Sequence, residues 1–141
     1  MIQTKPEIGS RIFAGIIDYS IILILTFILI ATMGTANSEG EIVLDGLPML
    51  IPVLFWFFMT IGLEQLLGRT IGNYAVDLKV IPIDSDQDKI SFGQSIKRHL
   101  LDVLDMSFFG VVGILCIKSS ERNQRLGDMW AETLVVKQKR K

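Results

Sequence analysis

Residues 19–34 and 47–63 contain no Asp, Glu, Lys, Arg or His, and residues 35–46 contain no Lys or Arg. The chain has a single cysteine, Cys116, and a single histidine, His99. One cysteine excludes an internal disulfide and a cysteine-rich metal site, and Cys116 reads as a small buried hydrophobe in an apolar run. Ser107, Ser119 and Ser120 find no base arrangement around the lone His99, so nucleophilic catalysis has no constellation to rest on. No haem, flavin or zinc pattern is present. These gaps point away from an enzyme, and no cofactor or metal is expected.

The chain does have long apolar blocks. Half of its 141 residues are hydrophobic, and the mean hydropathy is +0.46. Residues 12–34 form one block interrupted by Asp18, and 47–67 a second interrupted by Glu64. Each is long enough to cross a bilayer, which takes roughly 20 residues at about 1.5 Å each. Gly34 and Ala36 imitate a signal-peptidase site, but the apolar stretch before them is too long for a leader and carries an acid, so it reads as an anchor.

A third apolar element, about 92–117, is weaker. His99, Asp102 and Asp105 occupy its first half, and only Met106 to Ile117 is free of ionisable groups. The distribution of Lys and Arg sets orientation. Lys5 and Arg11 precede the first span, Glu39, Glu41 and Asp45 mark an outer loop, and Arg69, Lys79, Lys89, Lys97 and Arg98 come after the second span. The amino terminus and the 68–91 loop are therefore expected in the cytoplasm.

The basic tail, 118–141, would be placed outside by a third full crossing. A helix over about 92–105, broken near "MSFFG" and succeeded by a short apolar helix, would re-enter and return the tail to the cytoplasm. A conventional third span is the alternative. "AVDLKVI" alternates like a half-buried strand, with Val76, Leu78 and Val80 on one face, and "ETLVVKQ" is a second β-prone run. Pairing between them would put both on one side. The expected fold class is an all-α membrane protein with two full transmembrane helices, a third broken or re-entrant element, and a small cytoplasmic pair of short strands.

The charges gather at the inner ends. Arg11 and Asp18 share a helix face about 10 Å apart and read as one unit, since seven residues make nearly two turns. Glu64, near the inner end of the second span, can meet Asp18. Arg98, Asp102 and Asp105 stand at i, i+4 and i+7 on one face of the third element, with His99 beside them. Gly127 suits a turn that holds Arg125 near Asp128. Asp84, Asp86 and Asp88 open like a calcium loop, but Lys89 stands where glycine is required and Ser95 where a bidentate Glu is expected, so calcium is not expected. "GRTIG" lacks the Lys-Ser/Thr ending of a phosphate loop. The terminal "KQKRK" reads as a positive-inside signal or a contact for anionic headgroups.

Three motifs carry a resemblance: "RIFAGIIDYSII", "GRTIGNYAVDLKVI" and "RLGDMWAETLVV". In order and spacing they resemble the RDD family of small bacterial membrane proteins, over nearly the whole chain. The resemblance implies a single membrane domain over 1–141 in the inner membrane. Arg11 is similar to the family's arginine and Asp18 to its first aspartate; Asp128, or Asp105 in competition with it, is similar to the second. Gly68, Arg69, Thr70 and Gly72 match the cytoplasmic motif. Asn73 departs from it, standing where many relatives carry Lys.

The family has no settled general activity. Ligand transport has been suggested for it, and some members are implicated in cation/proton exchange. The resemblance leaves two readings. One is a non-enzymatic accessory or regulatory membrane protein, with Arg11, Asp18, Glu64, Arg98, Asp102, Asp105, Arg125 and Asp128 as a polar lock. The other is a transporter of a cation or small ligand that uses Asp18 and Glu64. The expected partners are the lipid bilayer and a membrane protein or second copy, not nucleic acid.

Overall fold

The computed structural model describes residues 5–83, 88–105 and 110–138. Helix α1 (Ile8–Met33) runs for 26 residues without proline. At 1.5 Å per residue that is about 39 Å, more than the roughly 30 Å hydrocarbon thickness. It starts four residues before the apolar block does, because the backbone N–H of Arg11 already donates to the Glu7 carbonyl. The chain then turns through a hairpin of β1 (Thr35–Ala36) and β2 (Ile42–Val43). Asn37 Oδ1 holds the turn by accepting from the N–H groups of Glu39 and Glu41. Such short strands carry no readable alternation, and the sequence reading contains no hairpin here.

The return path is one helical run over 47–67 in four parts: a 3₁₀ turn at Leu47–Leu50, α2 (Ile51–Phe57), a π turn at Phe58–Gly62 and α3 (Leu63–Leu67). Pro48 and Pro52 fall in first turns, where no backbone donor is lost. The π turn adds a residue and rotates the helix beyond it. None of the α2 side chains is buried, whereas Met59, Thr60, Ile61 and Glu64 all are. Only 22% of the most apolar window of either long helix is buried inside the molecule, so these are not core helices of a water-soluble fold.

Gly68, at φ 77°, ends α3, and Thr70 caps α4 (Ile71–Ala75) by accepting from Asn73 N–H. Strand β3 (Leu78–Pro82) pairs antiparallel with β4 (Thr133–Lys137), Val80 opposite Val135. Leu78, Val80, Ile90 and Val135 form its apolar core, with Val76 packed against them. The two β-prone runs of the sequence do pair. The segment after the second span and the segment after the third element therefore lie on the same side of the molecule.

The third element is broken. It consists of α5 (Phe92–Leu100), α6 (Asp102–Asp105) and α7 (Val111–Ser119). Ser91 and Gln94 form a reciprocal capping box at the start of α5. At nine residues, α7 is about 14 Å long, under half the hydrocarbon thickness. Gly110, at φ 81°, precedes α7, and residues 106–109, on which most of the "MSFFG" reading falls, are outside the described residues. So are the 84–87 stretch of the rejected calcium loop and Lys139 to Lys141 of the basic tail. Helix α8 (Leu126–Trp130) leads into β4.

Candidate functional site

Ion pairing at one end of the bundle draws in four chain segments. Asp128, fully buried on α8, is the hub. Its Oδ2 accepts from Arg11 Nη1 of α1 at 2.9 Å, its Oδ1 accepts from Arg98 Nε of α5 at 2.9 Å, and Arg125 Nε lies 3.5 Å away. Arg11 also donates through Nη2 to the Asn123 carbonyl. Arg98 turns its other edge to Glu64 on α3, whose second oxygen accepts from the Ser95 hydroxyl. One guanidinium thus bridges the second span and the tail. Planar, multiply donating arginine suits that position better than a lysine point charge would.

A second branch runs through His99 and Asp102. His99 Nδ1 is 2.7 Å from Asp102 Oδ2, and Nε2 is 3.3 Å from Glu64 Oε2. Asp102 Oδ2 also accepts from the Tyr19 hydroxyl at 3.0 Å, and its Oδ1 lies 2.8 Å from Arg125 Nη1. Tyr19 is itself hydrogen-bonded to Trp56, which joins both spans to this branch. Asp105 receives the N–H groups of Leu126 and Gly127, both at 3.1 Å, and so anchors the start of α8 to α6.

Four carboxylates (Glu64, Asp102, Asp105, Asp128) meet three guanidiniums and one imidazole. The network is neutral when His99 carries its proton. Burial disfavours that proton, but Asp102 and Glu64 outweigh burial and raise the His99 pKa above its ordinary value. Burial likewise pushes the Asp128 carboxyl up, yet the guanidiniums of Arg98, Arg125 and Arg11 hold it well below the usual carboxylate range. The same carboxylates hold the Arg125 guanidinium firmly charged against its burial.

Asp18 stands apart. It is buried on α1, yet no ion pair among the described residues includes it. Oδ1 accepts the Gly72 backbone N–H at 2.7 Å, and the Thr70 hydroxyl is its other hydrogen-bond partner. Gly72 is required for this approach: a Cβ there would come within 2.0 Å of the Ala14 carbonyl oxygen. The expected Arg11–Asp18 unit does not form. A shared helix face fixes direction but not partner, and the longer Arg11 reaches α8 while Asp18 meets the cap of α4. Glu64, the other expected neighbour of Asp18, turns instead to Arg98, Ser95 and His99.

Of the Gly-Arg-Thr-x-Gly motif, Thr70 and Gly72 serve Asp18, Gly68 makes the turn, and Arg69 stacks over the Tyr74 ring 4.8 Å away. Ser95, His99, Tyr19, Trp56 and the Asn123 carbonyl contribute contacts that the sequence reading did not assign to the site. Ser95 had a signal: it precedes Arg98, His99 and Asp102 by three, four and seven residues, on one helix face. Between α1 and the third element lies a cavity of about 710 Å³ that reaches Asp18, Tyr19, Trp56 and Asp102.

The RDD family model matches residues 5–132, a stretch that contains every residue of this network. The chain belongs to the RDD family. Neither a curated protein nor a solved structure matches it. In this RDD protein it is Asp128, not Asp105, that meets Arg11. With two candidate spanning helices that expose their apolar sides, it is a membrane protein.

Proposed function

We propose that this RDD protein is a non-enzymatic accessory or regulatory protein of the bacterial inner membrane. The carrying observation is the charge-balanced network of ion pairs joining α1, α3, α5/α6 and α8. Breaking a buried pair by removing one partner costs about 3–5 kcal/mol, so a network held at this many points favours a fixed arrangement over one that cycles. Glu64 is held by Arg98, Ser95 and His99, which speaks against a role as an exchange site. The outer halves of both spans carry no ionisable path.

In this reading the amino terminus, the 68–91 loop and the tail are cytoplasmic, and 92–117 re-enters the membrane. The pairing of β3 with β4 supports that arrangement, as does the reach of Arg11 to Asp128, since each joins segments that a third full crossing would separate. The platform formed by the strand pair and α8 then presents Trp130, stacked with Lys97, to a membrane-protein partner. Transport of a cation or small ligand is favoured by one observation, the buried Asp18 without a guanidinium.

Reconstitution in liposomes under Na⁺, K⁺ and pH gradients distinguishes the two. The accessory reading expects no cation-driven proton flux, together with a discrete heteromeric adduct from a photo-crosslinker at Trp130 in cells. Flux that Asp18→Asn abolishes while the fold is retained would sink it.

A further inference from the structure

We propose that the cavity between α1 and the third element is a binding site for an amphipathic monocation, an alkylammonium-type ligand with its charged head at Asp18 and its apolar tail along the isoleucines. The cavity's volume of about 710 Å³ falls within the roughly 300–1,000 Å³ usual for small-molecule sites. Its walls divide by chemistry. Ile12 and Ile16 of α1 and Ile114 and Ile117 of α7 line one part, with Val103. Asp18, Tyr19, Trp56, Thr60 and Thr70 line the other.

The charge of the head is set by the ion pairs. Arg11, Arg98 and Arg125 also border the cavity, but each is matched to carboxylates of the neutral network. Asp18 is the acid outside those pairs: its hydrogen bonds come from an N–H and a hydroxyl, and His99 is the nearby group that favours its charge. An anionic head would have to displace a carboxylate from an arginine, whereas a cation completes Asp18 without disturbing any pair. Asp102, 4% exposed, adds a second carboxylate to the cavity wall, its Oδ1 lying 2.8 Å from Arg125 Nη1. Tyr19 and Trp56 also line the cavity, and aromatic rings favour a cation over a neutral or anionic head.

An inorganic cation alone would leave the apolar walls unused, and a neutral apolar molecule would leave Asp18 uncompensated. The inference concerns binding and stands whether or not anything crosses the bilayer.

Trp56 and Trp130 are the two tryptophans of the chain, so a Trp130→Phe variant leaves Trp56 as a reporter inside the cavity. Full-length protein in vesicles of an uncharged galactolipid would be titrated with decyltrimethylammonium, decyl sulfate, 1-decanol and tetramethylammonium. The expected result is a saturable change in Trp56 emission with decyltrimethylammonium alone, at least about tenfold weaker in Asp18→Asn. Ile114→Phe, which fills the apolar wall and keeps Asp18, should also weaken it. Equal binding of decyl sulfate or decanol would show general partitioning and overturn the proposal. Binding of tetramethylammonium as tight as that of the decyl compound, or undiminished binding in a folded Asp18→Asn protein, would do the same. If Asp18→Asn does not fold, the ligand series and Ile114→Phe decide the matter in the same way.

Discussion

Asp128→Asn is the substitution to which this structure should be most sensitive. The side chain is fully buried, accepts from Arg11 and Arg98 at 2.9 Å each, and has Arg125 at 3.5 Å. The amide keeps the shape but removes the charge that three guanidiniums share. Removing one partner of a buried pair costs about 3–5 kcal/mol, and here the uncompensated charge falls on arginines that cannot shed their protons. Against a native stability typically near 5–15 kcal/mol, that is a large fraction. The assay is thermal and denaturant unfolding in mild detergent, combined with a double-mutant cycle against Arg11→Gln. The cycle should return a coupling of about 1–3 kcal/mol, because the two side chains are in direct contact. Asp88→Asn serves as control: its pairing with Lys79 is at 3.7 Å and 96% exposed, and its loss should leave unfolding unchanged. A loss below about 1 kcal/mol for Asp128→Asn, or no coupling to Arg11, would refute the idea that this network holds the helices together.

Other expectations concern His99, Asp128, Gly72 and topology. The folded-state pKa of His99 lies above the ordinary 6.5, so its contribution is full below that value and fades as pH rises through the folded pKa. Melting temperature should therefore fall as pH rises above the ordinary imidazole value of 6.5, and the His99→Gln variant should lose this step. Asp128, with a depressed pKa, contributes above the ordinary carboxylate range and loses its effect as pH falls toward the folded value. An acid melt should accordingly be shallower in Asp128→Asn than in the unaltered protein. Gly72→Ala forces a Cβ against the Ala14 carbonyl and the Asp18 carboxylate and should cost about 1–3 kcal/mol or more, read as a lowered melting temperature. With Cys116→Ser as background, Asn37→Cys and Gln138→Cys should label from opposite sides of the membrane. Labelling of both from outside would contradict the re-entrant arrangement.

The long apolar blocks at 12–34 and 47–67 were readable as candidate spans because length and composition carry that signal, and both fall in helical runs long enough to cross a bilayer. The β3–β4 pair was readable from alternation in "AVDLKVI" and from the need of a lone strand for a partner. The π turn at Phe58–Gly62 was not, since it depends on how Thr60 and Glu64 must face the bundle and not on local propensity. The polar residues of the site were readable as a set, but their pairing was not. Helical spacing put Arg11 and Asp18 on one face, and long-range packing then sent them to different partners, Asp128 and Gly72. The hairpin at 35–43 escaped because Asn37, not an alternating strand pattern, organises it.

The distance along the chain between Arg11 and Asp128 sets an order of events during synthesis. The partners are 117 positions apart, so at about 5–20 residues per second the ribosome needs roughly 6–23 s to supply the carboxylate after the arginine has been made. Through that interval the first two spans can be in the membrane while Arg11, and Glu64 with it, still lacks its final neighbours. A nascent or truncated chain that ends before Asp128 presents unmatched charge at the bilayer surface, and so carries a built-in mark of incompleteness that membrane quality control can read.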